Sequence, residues 1–184
     1  MAKSGDVIEN PLTGEQFIVT RSAAETSGEL LDGVLVFAPR ATGPMPHIHP
    51  IIEERVKVVA GTLRVKIDGE ERTLREGEEA IIKPGAPHAL WNDSDDEIRF
   101  EALATPALKL ETFIETVFGL ARDGKTNKKG MPNPLQAAVL IQEYSDEMQL
   151  ADVPLFAQRL LATLVAPIGR LFGYKGRYPE YSGE

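Results

Sequence analysis

The stretch Pro46-His47-Ile48-His49-Pro50-Ile51-Ile52-Glu53-Glu54-Arg55-Val56-Lys57-Val58-Val59-Ala60-Gly61 decides how the rest of the chain is read. The chain has 184 residues and only three histidines, and two of these stand here one residue apart, with the carboxylates of Glu53 and Glu54 close behind. The third, His88, follows the turn Pro84-Gly85-Ala86-Pro87. Alternate side chains of an extended strand face the same way, so His47 and His49 point to one side together, as ligands of a single ion must. The same alternation puts Glu54, Val56, Val58 and Ala60 on one face of the next strand and Arg55 and Lys57 on the other. An apolar interior therefore turns Glu54 inward and leaves Glu53 outside or at the rim. On a later strand His88, Leu90 and Asn92 share a face. Cysteine is absent, which excludes disulfides and thiol nucleophiles and leaves nitrogen and oxygen as the only metal donors.

Outward from this stretch, residues 6 to 104 read as short Val-, Ile-, Leu- and Thr-rich runs broken by turn residues, the pattern of an all-β sandwich or barrel. Strands are expected over Asp6 to Glu9, Glu15 to Arg21, Gly33 to Ala38, Glu54 to Ala60, Thr62 to Ile67, Glu70 to Leu74, Glu79 to Lys83, His88 to Asn92 and Glu97 to Ala104, with Asp68-Gly69 as a tight hairpin turn. After Pro106 the period changes to three- and four-residue steps. This predicts an amphipathic helix over Ala107 to Arg122 and a polar loop from Asp123 to Gly130. A second helix should start at Pro134, with Asn133 as its cap, and a last one over Val153 to Tyr174 should be kinked or split at Pro167.

The formal charge of −8 lies wholly in the first part: residues 1–105 hold 11 Lys and Arg against 19 Asp and Glu, and residues 106–184 hold 9 against 9. An acidic barrel without a basic stripe argues against nucleic acid as a partner. No segment reaches the length of a membrane span. With no charged and apolar leader at the start, a cytoplasmic location is expected.

His47-Ile48-His49, four residues, Glu54, six residues and Gly61 resemble the first sequence motif of the cupins, and Gly77, Gly85, His88 and Asn92 are similar to the second, in register. The likeness spans roughly residues 30 to 105, and the step to Gly61 selects Glu54 over Glu53. Ala41 stands where the first motif opens with glycine, although Gly43 is near, and Lys83 takes the proline position of the second. The resemblance implies a mainly β fold: a cupin double-stranded β-helix, or jelly-roll, barrel over residues 1–105. A C-terminal α-helical extension over residues 106–184 would pack on the barrel or at a dimer interface.

His47, His49, Glu54 and His88 are thus the candidate ligands of one divalent transition metal (Fe, Mn, Ni, Cu or Zn), with positions left open for water or substrate. Strict alternation puts Val34, Val36, Met45, Val56, Val58, Leu90, Ile98 and Phe100 around it as an apolar pocket. Asn92 is at its edge, where it either holds a turn or touches substrate. Trp91 should face away and pack under the C-terminal helices. No histidine remains for proton transfer and all four tyrosines lie beyond residue 143, so Glu53 and Glu101 are the remaining acid–base candidates. The family likeness implies a dioxygenase or related oxidoreductase acting on a small apolar or aromatic substrate, and a homodimer. A non-catalytic metal-assisted binder or sensor of small molecules, or a cupin isomerase or lyase, is the alternative.

Overall fold

The computed structural model describes residues 2–128 and 130–182; Lys129, inside the expected polar loop, lies outside them. The N-terminal part folds into β1 (Val7–Asn10), β2 (Glu15–Arg21), β3 (Leu31–Phe37), β4 (His47–Ile48), β5 (Glu53–Ala60), β6 (Thr62–Ile67), β7 (Glu70–Arg75), β8 (Glu79–Ile82), β9 (His88–Trp91) and β10 (Ile98–Thr105). The remainder forms α1 (Leu110–Arg122), α2 (Pro134–Glu143), a short β11 (Gln149–Leu150), α3 (Leu155–Leu164), α4 (Ala166–Leu171) and α5 (Pro179–Ser182). The strands make two antiparallel sheets, ordered β1-β2-β3-β10-β5-β8 and β11-β4-β9-β6-β7.

Period-two alternation builds the barrel. On β5 Val56 and Val58 are buried while Arg55 and Lys57 are exposed, and on β10 Ile98 and Phe100 are buried while Arg99 and Glu101 are exposed. The inward residues of both sheets, among them Phe37, Leu63, Val65, Ile82 and Leu90, close into one core. Within it the Phe37 and Phe100 rings meet edge to face at 5.1 Å. Each fully buried apolar side chain of this size contributes roughly 1.5–3 kcal/mol. Two turns set the register. Asp68 and Gly69 both take positive φ, as a two-residue hairpin between β6 and β7 requires. Gly61, also at positive φ, passes so close to β10 that a Cβ there would meet Ile98 Cγ2 at 2.8 Å.

On β3 the expected parity is corrected. Leu35 and Phe37 face the barrel core, and Val34 faces out, lining an external groove of about 390 Å³ together with Arg55, Lys57 and Glu101; Val36, though buried, sits on that same outward parity. The run Val34-Leu35-Val36-Phe37 is apolar on both faces, so its sequence offers no contrast; the cross-strand pairs Leu35 with Phe100 and Val34 with Glu101 decide it.

The helical part follows the expected order with shifted ends. Asn133 caps α2, its side chain accepting from the N–H groups of Leu135 and Gln136, and the last helix divides into α3 and α4 just ahead of Pro167. The barrel-facing side of α1 is more polar than its apolar stripe predicts. Glu111 and Glu115 are buried there and accept from the backbone N–H groups of Ala23 (2.6 Å) and Ala2 (2.8 Å). These two carboxylates tie the N-terminal arm to the helix. Leu108, inside the expected helix, precedes the observed one at positive φ and is exposed. Phe156, Leu171 and Phe172 on α3, α4 and the C-cap of α4 are 75, 87 and 72% exposed, so this apolar face does not pack on the barrel. No helix among the described residues is long and apolar enough to cross a membrane.

Candidate metal centre

Three strands and one turn bring His47, His49, Glu54 and His88 together. His47 on β4 is directly opposite His88 on β9. His49 follows one residue after β4, and its carbonyl accepts from Gly85 N (2.8 Å), which locks the turn before His88 against it. Glu54 enters from β5 on the same face as Val56, paired with Ala104 and Ile82. One ligand atom from each of the four residues falls within 4.8 Å of all the others. Glu54 Oε2 is 3.3 Å from His88 Nε2 and 3.6 Å from His49 Nε2. The His49 and His88 side chains are 4% and 0% exposed, and that of Glu54 12%.

The hydrogen bonds on the far side of each ring settle its protonation. Nδ1 of His47 lies 2.8 Å from the Met45 carbonyl, Nδ1 of His88 is 3.0 Å from that of Ala86, and Nδ1 of His49 is 2.5 Å from that of Glu147. A carbonyl oxygen can only accept, so each Nδ1 carries a hydrogen and each Nε2 faces the common centre, where the neutral form of the ring offers a lone pair. Glu54 Oε2 and His88 Nε2 are buried there without a hydrogen-bond partner. These two unpartnered atoms leave the buried cluster short of a partner, and a divalent cation would supply one. The donor set, three imidazoles and one carboxylate, fits a first-row transition ion.

The electrostatics differ among these residues. Burial, reinforced by the neighbouring His88 and His49 rings, pushes the His47 pKa down to about 3 and keeps that ring neutral. Burial opposes charge on Glu54 as well, yet the facing His49 and His88 outweigh it and hold the carboxyl well below the usual carboxylate range. For His49 burial is outweighed by Glu54, so its pKa lies above the ordinary value.

The structure divides the other expected site residues. Val56, Val58, Leu90, Ile98 and Phe100 belong to the packed barrel core. Val34 and Val36, as noted, lie on the outward parity. Met45 is 41% exposed and serves through its carbonyl rather than its side chain. Asn92 is consumed by the turn that follows β9: its amide donates to the carbonyls of Ala38 and Asp96 (both 2.8 Å), and its oxygen accepts from Ser94 N and Oγ. Glu53 is exposed beside Thr105, and Glu101 lies in the external groove between Val34 and Lys57. Neither carboxylate faces the histidines. Trp91 does face away, but its ring lies under the Arg64 guanidinium, 5.5 Å from the centroid, instead of under the helices. Gly43 takes up the glycine role missing at Ala41: it has a φ of +64°, and a Cβ there would come within 1.9 Å of the Leu90 carbonyl.

One contributor was not foreseen. The Glu147 carbonyl that orients His49 comes from the helical extension, 98 residues further along the chain. Just beyond it β11 pairs with β4, Leu150 opposite His47, and Ala151 N donates to the Pro46 carbonyl (2.9 Å). A two-residue strand and a main-chain oxygen leave no hydrophobic periodicity by which sequence reasoning could find them.

Residues 33–105 match the family model of the cupin domain. The chain is 30% identical over 81 residues to the quercetin 2,3-dioxygenase of Bacillus subtilis (strain 168), a match that covers 44% of this chain and 24% of that protein. It thus spans about a quarter of the length of this curated relative. Among solved structures it resembles the predicted oxalate decarboxylase of Thermotoga maritima, with a TM-score of 0.50, 15% identity, and 58% of this chain and 99% of that chain covered. It also resembles an RmlC-like cupin from Shewanella frigidimarina, with a TM-score of 0.49, 19% identity and coverages of 58% and 88%. The T. maritima match bears on the fold alone.

Proposed function

We propose that this cupin-domain protein holds one divalent transition metal on His47, His49, Glu54 and His88 and is a metal-dependent oxidoreductase, a dioxygenase, acting on a small apolar or aromatic substrate. The observation that carries the metal is the convergence of three Nε2 atoms and a buried carboxylate, with Glu54 Oε2 and His88 Nε2 left without a hydrogen-bond partner. When bound, such an ion supplies Lewis acidity and, if redox-active, electron transfer to dioxygen. The chain's own residues hold the three rings in one tautomer and keep Glu54 ionised. The dioxygenase reading over other chemistries draws on the partial likeness to quercetin 2,3-dioxygenase, and the fold itself does not select a reaction.

Oxygen uptake by protein loaded in turn with Fe(II), Mn(II), Ni(II) and Cu(II), across diketones, catechols and flavonoids, tests the proposal. Uptake with at least one pair is expected; none with any pair rejects the oxygenase. The placement of Glu53 and Glu101 away from the cluster favours a second reading, a metal-assisted small-molecule binder. Its mark would be ligand-induced thermal stabilisation without turnover. The exposed apolar face of α3 and α4 supports a homodimer, which a monomeric mass in light scattering would reject.

A further inference from the structure

We infer that the helical extension is part of the metal centre and that Gln158 on α3 is a positioning residue for His49 and His47; this rests on the metal reading above. Two of the three ring hydrogen bonds are local, each to a carbonyl two residues back, and fold with the turn that carries the ligand. The third is not: His49 Nδ1 depends on the carbonyl of Glu147, which the barrel does not contain. What holds that segment in place therefore decides where the His49 lone pair points.

The segment is anchored at both ends. At its start the N–H groups of Glu147 and Met148 donate to the Tyr144 carbonyl, and the Glu147 carboxylate accepts from Lys109 N (3.2 Å). At its end stands Gln158, 4% exposed. Its Oε1 accepts from Leu150 N (3.0 Å), and its Nε2 donates to the carbonyls of Leu150 (2.9 Å) and Val153 (2.7 Å). The side-chain amide takes both main-chain groups of Leu150 as a neighbouring strand would, on the edge of β11 opposite β4. Leu150 in turn stands across from His47. Without the Gln158 amide, a two-residue strand would have to hold its place with one half-buried edge unpaired. Hydrogen bonds made directly to ligating histidines typically govern ligand orientation and metal affinity by one to two orders of magnitude, and Gln158, which acts on that bond through the β11 segment, should reach the lower end of this range.

The test compares Gln158→Met, which keeps the length of the side chain and removes all three bonds, with Gln142→Met. Gln142 is an exposed amide on α2 that donates to the Ala162 carbonyl of α3 (2.9 Å) and accepts from Arg170 Nε (3.2 Å), bonds that do not involve β11. Titration with cobalt(II), followed by its visible absorption, should show about tenfold weaker binding and an altered band shape in Gln158→Met, and neither change in Gln142→Met. With metal absent, ¹⁵N-labelled histidine gives a spectrum of only three rings. The His49 Nδ1–H signal should lose its protection from solvent exchange in Gln158→Met alone. Wild-type affinity with a protected His49 signal in that variant overturns the inference, and so does an equal loss in both variants. Failure of the wild-type protein to take cobalt rejects the metal reading, while the histidine spectra still judge the positioning. If Gln158→Met does not fold, Gln158→Glu, which keeps an acceptor for Leu150 N, must show the same losses in smaller measure; wild-type behaviour there also overturns the inference.

Discussion

Replacing Glu54 by Gln isolates the charge of the one carboxylate in the cluster. The side chain keeps its shape, but one oxygen becomes an amide nitrogen and the negative charge is lost. Glu54 Oε2 is the atom that faces both His88 and His49, at 3.3 and 3.6 Å, in a side chain only 12% exposed, so water cannot readily take its place. Removing an outer hydrogen-bond partner of a metal ligand costs ten- to hundredfold in affinity, about 1.4–2.7 kcal/mol. Deleting a direct donor must exceed this, so Glu54→Gln should weaken binding by more than about a hundredfold. His49→Ala should do the same. Glu53→Gln is the control, because Glu53 is exposed beside Thr105 on the other side of the strand, and it should retain wild-type metal content. Elemental analysis after gel filtration, supported by calorimetric titration, reads the effect. Because His49 and His88 hold Glu54 ionised, Glu54→Gln should lower the melting temperature of the metal-free protein at neutral pH, so metal binding is compared at a temperature where thermal unfolding finds both proteins folded. Equal losses in Glu53→Gln and Glu54→Gln, or full metal content in Glu54→Gln, would refute the assignment.

Burial raises the pKa of Glu15 above 4.5, so the folded state holds its proton more tightly than the unfolded chain. The stability this contributes is present below pH 4.5 and is lost as pH rises through the folded pKa. Glu15→Gln should therefore raise the melting temperature at pH 7 and leave it unchanged at pH 4, as scanning calorimetry at the two values will show. Asn92→Ala strands the carbonyls of Ala38 and Asp96 and should cost about 1–3 kcal/mol in urea unfolding while the folded protein keeps its metal. Loss of metal with unchanged stability would instead make Asn92 a site residue. Phe100→Ala, at a fully buried position beside Phe37, should cost about 3–5 kcal/mol in the same assay.

Much of the barrel is legible because alternation of apolar and charged residues along β5 and β10 is unambiguous. Arg55 and Lys57 cannot be buried unpaired, so Glu54, Val56 and Val58 must face in, and the same reasoning brings His88 to the centre. Where the contrast vanishes, so does the reading: Val34 and Val36 were turned inward because all four residues from Val34 to Phe37 are apolar, and only pairing with Phe100 and Glu101 resolves them. Glu101 faces out, as the alternation that buries Ile98 and Phe100 on the same strand requires. Met45 and Asn92 share the proper parity yet serve the turns.

By itself the sequence determined which four side chains could meet, because ligand type and strand parity are local properties and the resemblance to the cupin motif, through its step to Gly61, points to the same carboxylate. Tertiary structure alone decided how they are held. The Nδ1 partner of His49 is a main-chain oxygen 98 residues away, secured by Gln158, and nothing in the side-chain identities near His49 encodes so distant a backbone contact. Only the docking of β11 on the free edge of β4 brings it there, which makes the helical extension a support of the site rather than an appendage.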